Sequence, residues 1–180
     1  NHPTIVYENL KQMYHASADT YGEKTLFMQK EGGEYKSYSF RQYAEEVDAL
    51  GTALCARGLK GKRVIVTGEN GYDWVRSYMA VICGVGVVVP VDKEIPAEEI
   101  ANIARESEAA AILYSEKLSA KVEALDEGVA RIPFSSLPAL IEQGKKLIEE
   151  GDRIAVGVSG GKDSMVLLAA MKDKSCRDLF

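Results

Sequence analysis

Six residues near the C-terminal end of the chain combine glycines, hydroxyls and a lysine in a pattern that suits phosphate. They follow a short apolar run at residues 153–158, typical of a buried strand, and they open an apolar stretch at residues 164–172 with helical spacing. A helix N-terminus offers unpaired backbone amides and the positive end of a dipole, and glycines let a phosphate approach the backbone. The sequence therefore predicts a nucleotide- or phosphate-binding loop made of Ser159, Gly160, Gly161, Lys162, Asp163 and Ser164.

This loop does not have the spacing of a Walker loop. Only three residues separate Gly157 from Gly161, and Asp163 stands where the first hydroxyl of that motif belongs. Residues 150–164 resemble the PP-loop of ATP pyrophosphatases, most closely the version in tRNA 2-thiocytidine-type thiolation enzymes. The resemblance implies that Asp163 helps to position ATP and its Mg²⁺. The alternative is a glycine-rich turn that only caps a helix. Because only residues 165–180 follow, we expect binding of ATP with Mg²⁺ to be weak.

The patterns in the rest of the chain predict the sheet that such a loop needs. Apolar runs at residues 63–67, 87–91 and 110–114 have the composition of strands buried on both faces, and a helical pattern follows each one. Before them, two apolar runs flank Gly32 and Gly33, which predicts a β-hairpin. The predicted fold is therefore α/β, with a mainly parallel sheet flanked by helices and a small N-terminal β-hairpin.

The ends of individual elements can also be predicted. Apolar spacing indicates helices over residues 4–15, 119–125 and 140–150, whereas residues 126–138 have the composition of irregular chain. Ser39, with Gln42 three residues later, forms a capping-box pattern at the start of a helix. We expect the strand at residues 153–158 to extend the same sheet.

Three further residues are predicted to have structural roles. Gly84 and Gly86 are expected to permit close packing of a helix on a strand, and they do not form a dinucleotide fingerprint because Val89 stands where the third glycine belongs. Trp74 is expected to be a large side chain of the core.

Five short motifs occur in a fixed order and spacing, at residues 38–40, 61–64, 70–74, 84–90 and 96–100. Together they resemble the N-terminal subdomain of adenylate-forming enzymes, and the nearest relatives in appearance are bacterial long-chain fatty acid–CoA ligases. The resemblance extends over residues 4–152. It implies an enzyme that activates a fatty acid with ATP as an acyl adenylate and then transfers the acyl group to CoA.

The same resemblance implies that the chemistry lies outside these residues. The family needs a phosphate loop that ends in lysine, an adenine pocket and a mobile C-terminal lid, and none of these is recognised before residue 152. We therefore assign no catalytic residue and expect the chain to be an inactive ligase fragment, with CoA used only by the complete enzyme. The alternative function is an ATP- or pyrophosphate-binding module of the PP-loop type.

The two resemblances divide the chain at about residue 150. Residues 1–150 form the ligase-like subdomain, and residues 151–180 form the PP-loop-like strand, loop and helix. The join is consistent with a gene fusion, an assembly artefact or deliberate engineering. A third possibility for function is a non-catalytic protein that self-associates through a bare apolar patch.

Composition excludes several other classes of function. The net charge of −5 and the pI of about 5.2 argue against a nucleic-acid-binding surface, since affinity for phosphates comes from clustered lysine and arginine. With three separated cysteines and two histidines, a zinc site has almost no ligands, so no metal site is predicted. The longest apolar run, residues 79–91, is too short for a membrane span. These features predict a cytoplasmic protein with reduced thiols.

Overall fold

The computed structural model describes residues 5–151 and confirms the predicted α/β class. Its elements are a two-stranded antiparallel sheet, a four-stranded parallel sheet and helices on both faces of the parallel sheet. The strands are β1 (Thr25–Glu31), β2 (Glu34–Ser39), β3 (Arg63–Thr67), β4 (Val87–Pro90), β5 (Ala109–Tyr114) and β6 (Ala130–Pro133). The α-helices are α1 (Leu10–Tyr21), α2 (Phe40–Leu54), α3 (Tyr72–Ala80), α4 (Ala97–Glu106), α5 (Ser119–Val122) and α6 (Leu137–Gly151).

The predicted hairpin is confirmed. Strands β1 and β2 pair in antiparallel register around Gly32 and Gly33, whose φ angles of 59° and 97° lie in the left-handed region that this turn requires. Side chains of the hairpin also accept hydrogen bonds from the first turns of two helices. Ser39 at its end accepts a hydrogen bond from the Gln42 amide (3.1 Å) and caps α2, as predicted. The Gln29 side chain accepts a bond from the Tyr72 amide (2.7 Å) at the start of α3.

The parallel sheet has the strand order β4-β3-β5-β6 and separates two apolar layers. Alternate residues of a strand point to opposite faces, so Val64 and Val66 of β3 pack on one side and Ile65 on the other. Helices α1, α2, α3 and α6 share the layer of Val64, whereas α4 and α5 share the layer of Ile65. These two layers hold the carboxyl ends of the strands in a fixed arrangement.

The first helix begins later than predicted. The sequence suggested residues 4–15, but α1 covers Leu10–Tyr21, and the Asn9 side chain caps it by accepting the Gln12 amide (2.8 Å). Ile5 and Val6, which supported the earlier start, are 67% and 87% exposed. Asparagine is a stronger signal for a helix start than two apolar residues on a short segment, which explains the error.

Two further predictions about the sheet were wrong. Residues 126–138 were expected to be irregular, yet they include the strand β6, which pairs with β5. The strand β6 cannot be recognised from its residue types, because Arg131 and Pro133 are untypical of a buried strand but acceptable at a sheet edge. Strand β4 was expected to be buried on both faces, but it is the opposite edge of the sheet, and Val87 is 57% exposed.

The helices predicted at residues 119–125 and 140–150 are present, but their first or last residues differ from the prediction. Helix α5 stops at Val122, where residues 119–125 had been expected, and α6 starts three residues earlier than the predicted 140–150. Gly86 permits close packing as expected, since a β-carbon there would collide with the Lys62 backbone. The same expectation for Gly84 was wrong, since a β-carbon there would meet no atom within 4 Å. The strand and helix predicted at residues 153–158 and 164–172 lie outside the described residues.

Candidate functional site

The strand order locates the crevice where a sheet of this kind usually binds ligands. The chain moves from β3 to β4 on one side, and then crosses β3 to reach β5 on the other side. In open α/β sheets the ligand binds beyond the carboxyl ends of the two strands at which this direction reverses. In this protein those strands are β3 and β5, which end at Thr67 and Tyr114.

The crevice between β3 and β5 is closed by residues of the protein itself. Gly68, directly after β3, has a φ of 154°, and a β-carbon there would lie 2.8 Å from the ring of Phe134 and 3.0 Å from Ser115. Next to it, the Ser115 hydroxyl donates to the Glu69 carboxylate at 2.5 Å, and the Lys117 ammonium lies 3.5 Å from the other carboxylate oxygen. These contacts join the loop after β3 to the loop after β5.

The electrostatics of Glu69 are consistent with a structural contact. The hydrogen bond from Ser115 lowers the pKa of the Glu69 carboxyl, so the group is ionised at neutral pH and acts only as an acceptor. A general acid or base needs a pKa near the working pH, which this shift opposes. Glu69 therefore fastens the loop after β3 to the loop after β5.

An open cleft lies beside this closed crevice, beyond the carboxyl ends of β3 and β4. Its volume is about 390 Å³. One wall is held in place by two contacts: the Asp92 carboxylate accepts the Glu94 amide (2.8 Å), and the Lys121 ammonium donates to the carbonyls of Lys93 (2.7 Å) and Ile95 (2.9 Å). The lining residues are Gly68, Asn70, Trp74, Pro90, Val91, Asp92, Lys93 and Glu94.

Trp74 has two roles in this region. It packs against the core layer and stacks on Tyr78 with a centroid distance of 5.3 Å, as a core residue should, but it also lines the open cleft. Sequence reasoning missed the cleft itself. The available signal was that polar residues, among them Asn70 and Asp92, follow predicted strands almost directly, at the edge where parallel strands expose functional groups.

Two other polar clusters join helices to one another. Arg76 is buried and pairs with Glu46 of α2 (2.6 Å) and with Asp73 of its own helix (2.6 Å). Two residues further along α2, the Asp48 carboxylate accepts the Tyr14 hydroxyl (2.6 Å) and lies 3.0 Å from His15 Nε2. Both clusters connect packed helices and neither lines the cleft, so their geometry supports structural roles.

The two cysteines in the described part of the chain are poor nucleophiles. Burial raises the pKa of the Cys83 thiol to about 11 and also raises the pKa of Cys55. The reactive form of cysteine is the thiolate, which these shifts disfavour at neutral pH. Within residues 5–151, moreover, no three side chains of His, Cys, Asp or Glu come together as metal ligands.

The predicted loop residues Ser159, Gly160, Gly161, Lys162, Asp163 and Ser164 lie outside the described residues, so the structure does not test that site. Residues 5–151 supply a closed crevice, an open cleft and the framework of the sheet.

Comparison with known proteins identifies the origin of this framework. Residues 14–164 match the family of AMP-binding enzymes. The chain belongs to this family. The match to the AMP-binding enzymes includes the loop at residues 159–164, and so it does not support the alternative assignment of that loop to the PP-loop pyrophosphatases.

The chain is also similar in sequence to individual proteins. The chain is 36% identical over 101 residues to a hybrid PKS-NRPS synthetase of Thermothelomyces thermophilus, covering 53% of this chain and 2% of that protein. It is 26% identical over 110 residues to a crotonobetaine/carnitine–CoA ligase of Escherichia fergusonii, covering 60% of this chain and 21% of the relative.

Solved structures show the same fold. A long-chain-fatty-acid–CoA ligase of Archaeoglobus fulgidus superposes with a TM-score of 0.68 at 23% identity, over 79% of this chain and 32% of that one. The chain thus spans well under half the length of these AMP-binding relatives. Among the described residues, no helix is long and apolar enough to cross a membrane.

Proposed function

We propose that this chain is the N-terminal scaffold of an ATP-dependent acid–CoA ligase that activates fatty acids. The observation that carries the proposal is the match to AMP-binding enzymes over residues 14–164, combined with a fold that superposes on a long-chain-fatty-acid–CoA ligase. The order of the five short motifs in the first hundred residues carries the same resemblance to fatty acid–CoA ligases.

In such a ligase the carboxylate of the fatty acid attacks the α-phosphorus of ATP and pyrophosphate leaves, forming an acyl adenylate. The thiol of CoA then displaces AMP, loses its proton and becomes a thioester. We assign no group of residues 5–151 to either step, and the loops after β3 and β5 are joined to each other by the packing of Phe134 beside Gly68 and by the Glu69–Ser115 contact. Their role is to hold the sheet and its loops.

The chain by itself is therefore expected not to form an acyl adenylate. The test is to incubate it with palmitate, ATP and Mg²⁺ and to measure pyrophosphate release and acyl-AMP by mass spectrometry. A complete long-chain-fatty-acid–CoA ligase serves as the positive control. Stoichiometric or catalytic acyl-AMP from this chain alone would refute the scaffold proposal.

We propose separately that residues 159–164 bind phosphate groups of a nucleotide weakly. The proposal rests on the glycines, hydroxyls and lysine of this loop at the predicted start of a helix. Calorimetric titration with Mg-ATP, repeated on Ser159→Ala and Asp163→Ala, tests it, with Ser175→Ala as a matched control outside the loop. Binding that both loop variants leave unchanged would contradict this site.

A further inference from the structure

Three segments meet at the carboxyl edge of the parallel sheet, directly after β3, β5 and β6. The strand order places β5 between β3 and β6, so the segment after β5 lies between the other two. Its first three residues, Ser115, Glu116 and Lys117, all carry polar side chains. The middle segment is therefore in a position to contact both of its neighbours.

The segment after β5 contacts the segment after β3 through Ser115, which is only 7% exposed. The Ser115 hydroxyl donates to the Glu69 carboxylate (2.5 Å), and its amide donates to the Thr67 carbonyl (3.2 Å). The Lys117 ammonium lies 3.5 Å from the second oxygen of Glu69. A buried hydroxyl that loses its acceptor is unfavourable, so these contacts hold the two segments together.

The segment after β6 contacts both of the others. The Glu116 carboxylate accepts a hydrogen bond from the Ser135 amide, which joins the segments after β5 and β6. The Phe134 ring is buried and packs beside Gly68, where a β-carbon would lie 2.8 Å from the ring. This packing joins the segments after β6 and β3. Each of the three segments thus contacts the other two, and the contacts form a closed ring.

A closed ring of contacts makes independent motion of one segment unfavourable, because a segment that leaves must break two of the three contacts. The two carboxylates in the ring repel each other. The pKa of Glu116 is lowered although burial opposes the shift, because the contact with Ser135 favours the charged form. The repulsion from Glu69 therefore favours opening of the ring once one contact is lost.

We propose that residues 68–70, 115–117 and 134–136 form one lid, which opens and closes as a unit over the crevice between β3 and β5. Gly68 lies in this lid and also lines the open cleft of about 390 Å³. Opening of the lid consequently joins the crevice to the cleft. The accessible cleft is then one part of a larger site whose size the lid controls. This inference does not depend on the activation of a fatty acid.

The test is relaxation-dispersion nuclear magnetic resonance on the full 180-residue chain, which detects exchange in the microsecond-to-millisecond range. The amides of Gly68, Ser115 and Ser135 represent the three segments, and they are expected to share one exchange rate and one minor population. Ser115→Ala removes the hydrogen bond to the segment after β3. It is expected to raise the minor population at least about fivefold, also at Ser135, which the hydroxyl does not contact.

Glu116→Ala breaks the contact between the segments after β5 and β6, and should raise the minor population at Gly68 in the same way. Ser37→Ala is the matched control, because Ser37 is exposed on the hairpin, and it should leave the population unchanged. The Ile65 amide, within β3, reports whether each variant remains folded. The proposal is wrong if the three segments exchange at different rates, if Ser115→Ala affects only the segments after β3 and β5, or if neither the unsubstituted chain nor these variants show exchange.

Discussion

Gly144 of α6 lies directly against the backbone of Ala49 in α2. A β-carbon at position 144 would collide with the Ala49 carbonyl group, so the two helices approach as closely as they do only because residue 144 is glycine. This contact fixes α6 on the face of the sheet that it shares with α3. We therefore expect Gly144→Ala to destabilise the fold by about 1–3 kcal/mol through overpacking, measured by urea unfolding.

Gly84→Ala provides the control for that substitution. Gly84 also lies in a helical turn, but a β-carbon at this position would meet no atom within 4 Å. Alanine is about 1 kcal/mol more favourable than glycine in a helix, so this variant is expected to be neutral or slightly stabilised. Equal effects of the two substitutions would show that close packing at Gly144 does not matter.

A second prediction concerns the buried charge of Arg76. The guanidinium is surrounded by Glu46 and Asp73, and the side chains of Arg76 and Glu46 are only 9% and 12% exposed. Arg76→Met leaves the buried Glu46 carboxylate without its partner, which typically costs about 3–5 kcal/mol.

Arg63→Met is the matched control, because Arg63 pairs with Glu108 at the surface with side-chain exposures of 49% and 80%. An exposed ion pair contributes about 0–1 kcal/mol. Thermal and urea unfolding of both variants should therefore differ clearly. A similar small loss in both would indicate that the Arg76 cluster is solvated in solution.

Much of this architecture could be predicted from sequence because the signals were local. Ser39 marks the start of α2, and Gly32 and Gly33 mark the turn of the hairpin. The valine-rich run of β3 has the composition of a strand that is buried on both faces. Strand β6 could not be recognised, because its Arg131 and Pro133 are acceptable only at an edge, and edge position is a property of the whole sheet. The exposure of β4 was missed for the same reason.

The cleft was even less accessible to sequence reasoning. Its walls combine residues after β3 with residues after β4, and in the neighbouring crevice Phe134 and Ser115 pack beside Gly68. None of these contacts is marked by a motif. The candidate loop at residues 159–164, in contrast, is predicted entirely from its motif.

The pair formed by His15 and Asp48 predicts a dependence of stability on pH. The hydrogen bond to Asp48 raises the pKa of His15 above its ordinary value of 6.5, against an opposing effect of burial. A raised pKa in the folded state adds stability that is fully present below about pH 6.5 and is lost as pH rises through the folded pKa.

Stability should thus be greater at about pH 6 than at about pH 8 by less than about 1 kcal/mol, because His15 is 43% exposed. His15→Gln is expected to remove this difference. In Asp48→Asn, the pKa of His15, followed by nuclear magnetic resonance, should fall because the charge of Asp48 is removed while the opposing effect of burial remains. An unchanged pKa in Asp48→Asn would rule out the pair as the cause.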